Sequence, residues 1–214
     1  MSSNKFPIIG IVTVFAIVGA FLLIRGSDDS DRTDSVDAAF AADMIPHHEG
    51  AISMARIAEE KAEHPQTVVL ARGIVAGQSA EIEKLGSIYE RLTGDRVDSA
   101  PADGMGMSDS DMGMDMDMSA LEKARPFDRE FIDQMIPHHQ GAIRMAYMVL
   151  EDGEDEETVD LAEAVVAAQS KEIDQMNRWR LEWYGAESPA GGVPARPAAG
   201  EAMDSGHSME GMNH

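Results

Sequence analysis

The stretch FAADMIPHHEGAISMA, Phe40 to Ala55, returns as FIDQMIPHHQGAIRMA at Phe131 to Ala146, an offset of 91 residues. The same offset continues without a gap, because LARGIVAGQSAEIEKL from Leu70 matches LAEAVVAAQSKEIDQM from Leu161. A duplication this regular makes each half one supersecondary unit of the same shape. Inside each unit the apolar positions recur at helical spacing, interrupted once: by His64-Pro65 in the first copy and by EDGEDEE, Glu151 to Glu157, in the second. The spacing predicts helices over about 37–63, 66–92, 128–150 and 158–184, with Asp37 and Asp128 as N-caps. A helix of that length runs roughly 40 Å at 1.5 Å per residue. Neither hairpin can bury its apolar stripe alone, so the expected fold class is all-α, a four-helix bundle of two duplicated hairpins related by pseudo-twofold symmetry.

The flanking segments read differently. From Phe6 to Ile24 no residue is charged, and the run is bracketed by Lys5 and Arg25. That is long enough for a transmembrane helix, and the absence of an A-x-A cleavage pattern favours an uncleaved anchor over a signal peptide. The expected organisation is an anchor or uncleaved signal at 1–25, an acidic linker at 26–36, a first hairpin at 37–92, a Met-rich mobile crossover at 93–120, a second hairpin at 121–184 and a disordered His- and Met-containing tail at 185–214. The domain is expected on the extracytoplasmic side, membrane-anchored, or secreted if the N-terminal segment is cleaved.

Composition narrows the function. Lys plus Arg number 17 against 39 Asp plus Glu, a formal charge of −22, which repels a phosphate backbone and argues against nucleic acid. Cysteine is absent, which excludes disulfides, thiolate metal sites and catalytic thiols, whereas there are 16 Met. Their positions are not random. Met44 and Met54 flank His47 and His48 at helical spacing, and Met135 and Met145 flank His138 and His139 in the copy. Pro46 and Pro137 sit between Met and His and free the carbonyls of Ala42 and Asp133. On the second helix of each hairpin Gln78 and Gln169 lie within the buried stripe, and Glu81 and Glu172 are placed to accept from an imidazole N–H.

Two His-His-Met sets so arranged point to a metal ion as ligand, although packed interior histidines and Met as core filler would produce the same spacing. The crossover adds Met105, Met107, Met112, Met114, Met116 and Met118 among Gly and Asp, and the tail adds His207, Met209, Met212 and His214. Thioethers are soft, do not titrate and select Cu(I) over hard ions. These residues are expected as accessory donors on a capture arm, with copper, Cu(I) before other transition metals, as the ion.

The doubled M-I-P-H-H-x-G-A-I-x-M-A, with D-x-x-F before it and a Q-S-x-E-I helix after it, closely resembles the domain of unknown function 305 (DUF 305) family over roughly Asp37 to Tyr184. The resemblance implies a ferritin-like four-helix bundle, usually exported or tethered, with copper binding and resistance in some members. It maps onto Met44, His47, His48, Met54, Met135, His138, His139 and Met145. The resulting expectation is a non-enzymatic protein that sequesters copper, confers resistance or hands the ion to a copper-handling partner, in an oligomeric state the sequence does not give. Two rivals are a ferritin-like metal oxidase, for which the Glu-x-x-His pattern is missing, and a metal-free acidic interaction module.

Overall fold

The computed structural model describes residues 35–97 and 104–198. All of their regular structure is helical: α1 Val36–Lys61, α2 Pro65–Thr93, the short α3 Met118–Lys123, α4 Phe127–Asp152 and α5 Glu156–Tyr184. The apolar run at 6–24 lies outside the described residues, and no described helix is long and apolar enough to cross a membrane.

Local chemistry explains the helix ends. Pro65 opens α2, where its missing N–H costs nothing, and Ser35 Oγ accepts from the Ala38 amide to cap α1. The two second helices stop at Gly94 and Gly185, with φ of 82° and 81°, a left-handed conformation that glycine adopts without a Cβ penalty. Both proline-bearing helices continue through Pro46 and Pro137.

Asp37 and Asp128 do not cap their own helices as expected; Ser35 and Pro126 hold those positions. Each aspartate instead reaches into the turn of the other hairpin. Asp128, fully buried, accepts from the Glu63 amide at 2.7 Å and the His64 amide at 3.3 Å. Asp37 accepts from the Glu154 amide at 3.0 Å and the Asp155 amide at 3.3 Å. Every one of these partners is 91 positions from its counterpart, so the pseudo-twofold axis of the repeat is present in the hydrogen bonds. The reason is topological: α1 and α4 run antiparallel, and the first turn of each lies beside the free amides that begin the facing hairpin's second helix.

The interior divides into two apolar clusters. One contains Met54, Leu70, Ile74, Phe127, Phe131 and Met135, and the other Phe40, Met44, Leu85, Ile88, Met145 and Val149. Between them runs a buried polar layer made of His47, His48, Gln78, His138, His139 and Gln169.

The crossover and tail depart from expectation. Residues 104–117, read from sequence as a mobile arm, lie against α1 and α4. The Met105 amide donates to Asp43 Oδ2 at 2.6 Å, the Asp117 amide to Gln134 Oε1 at 3.0 Å, and Arg144 Nε to the Asp111 carbonyl at 2.8 Å. Met112, Met114 and Met116 are half-buried while Asp111, Asp115 and Asp117 are exposed, and Met112 and Met116 pack on the apolar clusters of the bundle. Residues 185–198 likewise run over the second hairpin rather than behaving as a disordered tail. Gln140 Nε2 donates to the Ala190 and Gly192 carbonyls at 2.8 and 2.7 Å, and Asn177 Nδ2 to the Gly191 carbonyl at 2.7 Å. Their backbone oxygens thus find donors that the helices supply.

Removing either cross-hairpin aspartate strands two amides. Asp128→Ala and Asp37→Ala are each expected to lower stability by about 1–3 kcal/mol, measured as the urea midpoint of the full chain. An unchanged midpoint in both would show that these contacts do not hold the hairpins together.

Candidate metal centre

The polar layer is built by the doubled motif. Helical spacing points Met44, His47, His48 and Met54 into the bundle from α1, and Met135, His138, His139 and Met145 from α4; all eight side chains are buried. The four Met line the two apolar clusters on either side of the layer: Met54 and Met135 on one side, Met44 and Met145 on the other. The His47 and His138 rings meet across the pseudo-axis with centroids 3.9 Å apart and planes at 42°. His48 and His139 flank them, each 6.3–6.4 Å from its neighbour's ring.

The two flanking rings face carboxylates on the partner helices. His48 Nε2 lies 2.7 Å from Glu81 Oε2, and His139 Nε2 lies 2.7 Å from Glu172 Oε2. The Glu172 carboxylate accepts, so it selects the His139 tautomer with hydrogen on Nε2 and leaves the Nδ1 lone pair for another partner, whereas His48 Nε2 pairs with Glu81 by proximity without hydrogen-bond alignment. His47 Nε2 similarly donates to the Met112 carbonyl at 2.9 Å. The Nδ1 atoms of all four histidines make no hydrogen bond, and neither do His48 Nε2 and His138 Nε2. Gln78 and Gln169 are buried beside them with carboxamide atoms that are also unpartnered.

Burial keeps the central pair neutral. It lowers the His47 pKa from 6.5 to about 3, with repulsion from His48 adding to the effect. Burial likewise pushes His138 well below its ordinary value, reinforced by His47. Neutral imidazoles retain lone pairs, which is the state that coordinates metals.

Among the described residues no three His, Asp or Glu side chains converge as a ready-made metal chelate. A soft ion makes a different demand, because Cu(I) accepts thioether sulfur, and sulfur is what surrounds this layer. All the crossover Met residues except Met114 pack on the apolar clusters that flank it. Met105 is buried; Met107 and Met112 pack on the cluster that holds Met44 and Met145, and Met116 and Met118 on the cluster that holds Met54 and Met135. His207, Met209, Met212 and His214 lie outside the described residues.

Several residues at this site carried no signal in the reading of the motifs. Asp43 and Gln134, equivalent by the repeat, hold the two ends of the crossover strap. Gly50 and Gly141, also equivalent, let it approach: a Cβ on Gly141 would overlap the Met112 carbonyl, and one on Gly50 would meet Met116. Glycine inside a helix costs about 1 kcal/mol relative to Ala. Its recurrence in both copies was the available sign of a close backbone approach.

The chain matches the DUF305 model, described as a domain of unknown function, over residues 37–180 and again over 128–214. Among solved structures, CopM in the Cu(I)-bound form is 40% identical, with 70% of this chain and 98% of that chain covered and a TM-score of 0.60. CopM in the Cu(II)-bound form is 41% identical over 69% of this chain and 97% of that one, with a TM-score of 0.61. A DUF305 protein from Streptomyces coelicolor, provisionally assigned as secreted, is 25% identical over 72% of this chain and 96% of that one, with a TM-score of 0.65. No curated protein matches the chain.

The neutral core has a consequence for acid stability. In the unfolded chain His47 and His138 take up protons near pH 6.5, while in the fold they stay neutral, His47 to about pH 3. The unfolded state therefore binds more protons below pH 6.5, and stability falls as pH drops from 6.5 toward 3. For His47 alone the loss between pH 6.5 and 5 is about 2 kcal/mol. Urea midpoints at pH 7 and pH 5 measure it, and His47→Gln should flatten the dependence by about one proton. An equal dependence in that variant would show that His47 is charged in the fold.

Proposed function

The chain belongs to the DUF305 family, and on that footing we propose that it binds copper outside the cytoplasm, as Cu(I) before other transition metals, and sequesters it, confers resistance to it or passes it to a partner protein. One observation carries the proposal: four buried histidines whose Nδ1 atoms have no hydrogen-bond partner, bracketed by four buried thioethers. Unpartnered buried polar atoms cost about 1–3 kcal/mol each, so a layer of them is retained for a ligand rather than for stability. The donors are imidazole nitrogen, neutral in His47 and His138, and thioether sulfur, which suits a soft ion of low charge. Glu81 and Glu172 orient two of the rings in the manner of outer carboxylates behind metal-bound imidazoles. A relative 40% identical, CopM, has been solved with Cu(I) and with silver, an ion of the same soft class.

The cellular setting rests on other features. The apolar run at 6–24 would tether the domain, and the Streptomyces relative is provisionally placed outside the cell. A ferritin-like oxidase is the less suitable reading, because its carboxylate-bridged centre needs acidic groups facing one another across the core. Here Glu81 and Glu172 each face a histidine on the helix paired with their own. We therefore assign a binding rather than a catalytic role.

Titration of the full chain with Cu(I), Ag(I), Zn(II) and Fe(II) tests this. Cu(I) and Ag(I) should bind more tightly than Zn(II), and changing His47, His48, His138 and His139 together to Ala should abolish the tight class of sites while circular dichroism reports on the fold. Absence of Cu(I) binding, or binding indifferent to that change in a folded variant, would contradict the proposal. Oxygen consumption with Fe(II) would favour the oxidase.

A further inference from the structure

The repeat gives each hairpin the same outer face along its two helices, but the two faces are not equally covered. On the second hairpin a non-helical segment of the chain itself, residues 188–193, lies across α4 and α5. Asn177 of α5 accepts from the Ser188 amide at 3.0 Å and donates to the Gly191 carbonyl at 2.7 Å. Gln140 of α4 donates to the Ala190 and Gly192 carbonyls. Ala190 and Val193 pack on the cluster that contains Ile136 and Ile173, and both isoleucines are fully buried.

The first hairpin carries the same two isoleucines 91 positions earlier, Ile45 and Ile82, and both are only half-buried. An open groove of about 470 Å³ lies over them, lined also by Glu83, Gly86, Glu90 and Arg96. Gly86 is the counterpart of Asn177, and nothing lies within 4 Å of the point that its Cβ would occupy. The counterpart of Gln140 is Glu49, exposed and four residues beyond Ile45 on the same face of α1. The amide donors that hold the segment on the second hairpin are thus replaced by open space and by carboxylates, which only accept. Glu83 and Glu90 are exposed, and among the described residues neither is in an ion pair.

We propose that this groove is a docking site for a short, non-helical, cationic peptide segment of a partner protein, seated on Ile45 and Ile82 as residues 188–193 are seated on Ile136 and Ile173. Small apolar residues of that segment cover the isoleucines, and its Lys or Arg side chains donate to Glu83 and Glu90. Charge selects the occupant. The terminal stretch 199–214 has three acidic residues and no Lys or Arg, and 26–34 has four acidic residues against one Arg, so both are repelled by the carboxylates. A second copy brings a formal charge of −22 of its own.

The probe is a synthetic peptide with capped ends, SPAGGVPARPA (residues 188–198), carrying Ala195→Lys and Ala198→Lys; its control carries Glu at both positions. With 13C-methyl isoleucine in the full chain, the Lys peptide at up to about 1 mM should move the Ile45 and Ile82 resonances and leave Ile136 and Ile173 in place, while the Glu peptide moves none. Glu83→Gln together with Glu90→Gln should weaken the Lys peptide by about fivefold. Gly86→Leu, which fills the groove and replaces a glycine that weakens the helix, should remove the peptide-dependent shifts altogether.

If neither peptide moves Ile45 and Ile82, or both move them equally, the proposal is overturned. It is also overturned if these two resonances shift on dilution of the protein alone, which would place a second copy in the groove, or on removal of residues 199–214, which would place the chain's own terminus there. Circular dichroism reports on the fold of each variant, and the comparison of the two peptides on the native chain decides the matter even if a variant fails to fold.

Discussion

A layer of four imidazoles and two carboxamides at the middle of a helical bundle is the constraint to which the rest of the structure answers. Apolar clusters above and below exclude water from it, so the central pair, His47 and His138, stays neutral and keeps its lone pairs. The same exclusion makes every unpartnered nitrogen expensive. Glu172 relieves His139 on one side and the Met112 carbonyl relieves His47, but neither contact reaches Nδ1. The proposed copper-binding role rests on these unpartnered nitrogens and on the thioethers around them, which together form a soft donor set.

Symmetry builds the layer and a single strap breaks it. Two copies of one hairpin give paired histidines, paired methionines and the reciprocal Asp37 and Asp128 contacts that lock each hairpin onto the other's turn. The crossover can pass over the axis only once. It therefore presents a carbonyl to one histidine and none to the other, while the equivalent Asp43 and Gln134 grip its opposite ends. Divergence at that one repeated position, acid in one copy and amide in the other, matches the two different tasks. Asp43 accepts from the Met105 amide, whereas Gln134 both accepts from and donates to the backbone of Asp117.

The 91-residue repeat made the all-helical architecture legible, because it supplied two independent samples of the same 3.6-residue pattern. Burial of Gln78 and Gln169 was legible for the same reason: each interrupts an apolar stripe at an equivalent place. The cross-hairpin aspartates were misread, since a carboxylate at a helix start looks like a local cap and only tertiary placement shows whose amides it meets. The packing of the strap was not legible, because a hydrogen-bonded turn at 109–113 and contacts with side chains of α1 and α4 place it, and Gly- and Asp-rich sequence carries neither signal. Gly50 and Gly141 held the missing information: a mid-helix glycine present twice marks where another segment must come close.

The central claim is that sulfur and imidazole nitrogen from the buried layer jointly hold a soft ion. X-ray absorption at the copper edge, on the full chain loaded with one equivalent of Cu(I), reads the donors directly. The account requires a first shell containing both thioether sulfur and imidazole nitrogen, with the nitrogen contribution lost when His47 and His138 are changed to Ala. A shell of oxygen donors alone, or one unchanged by those substitutions in a folded protein, would contradict it.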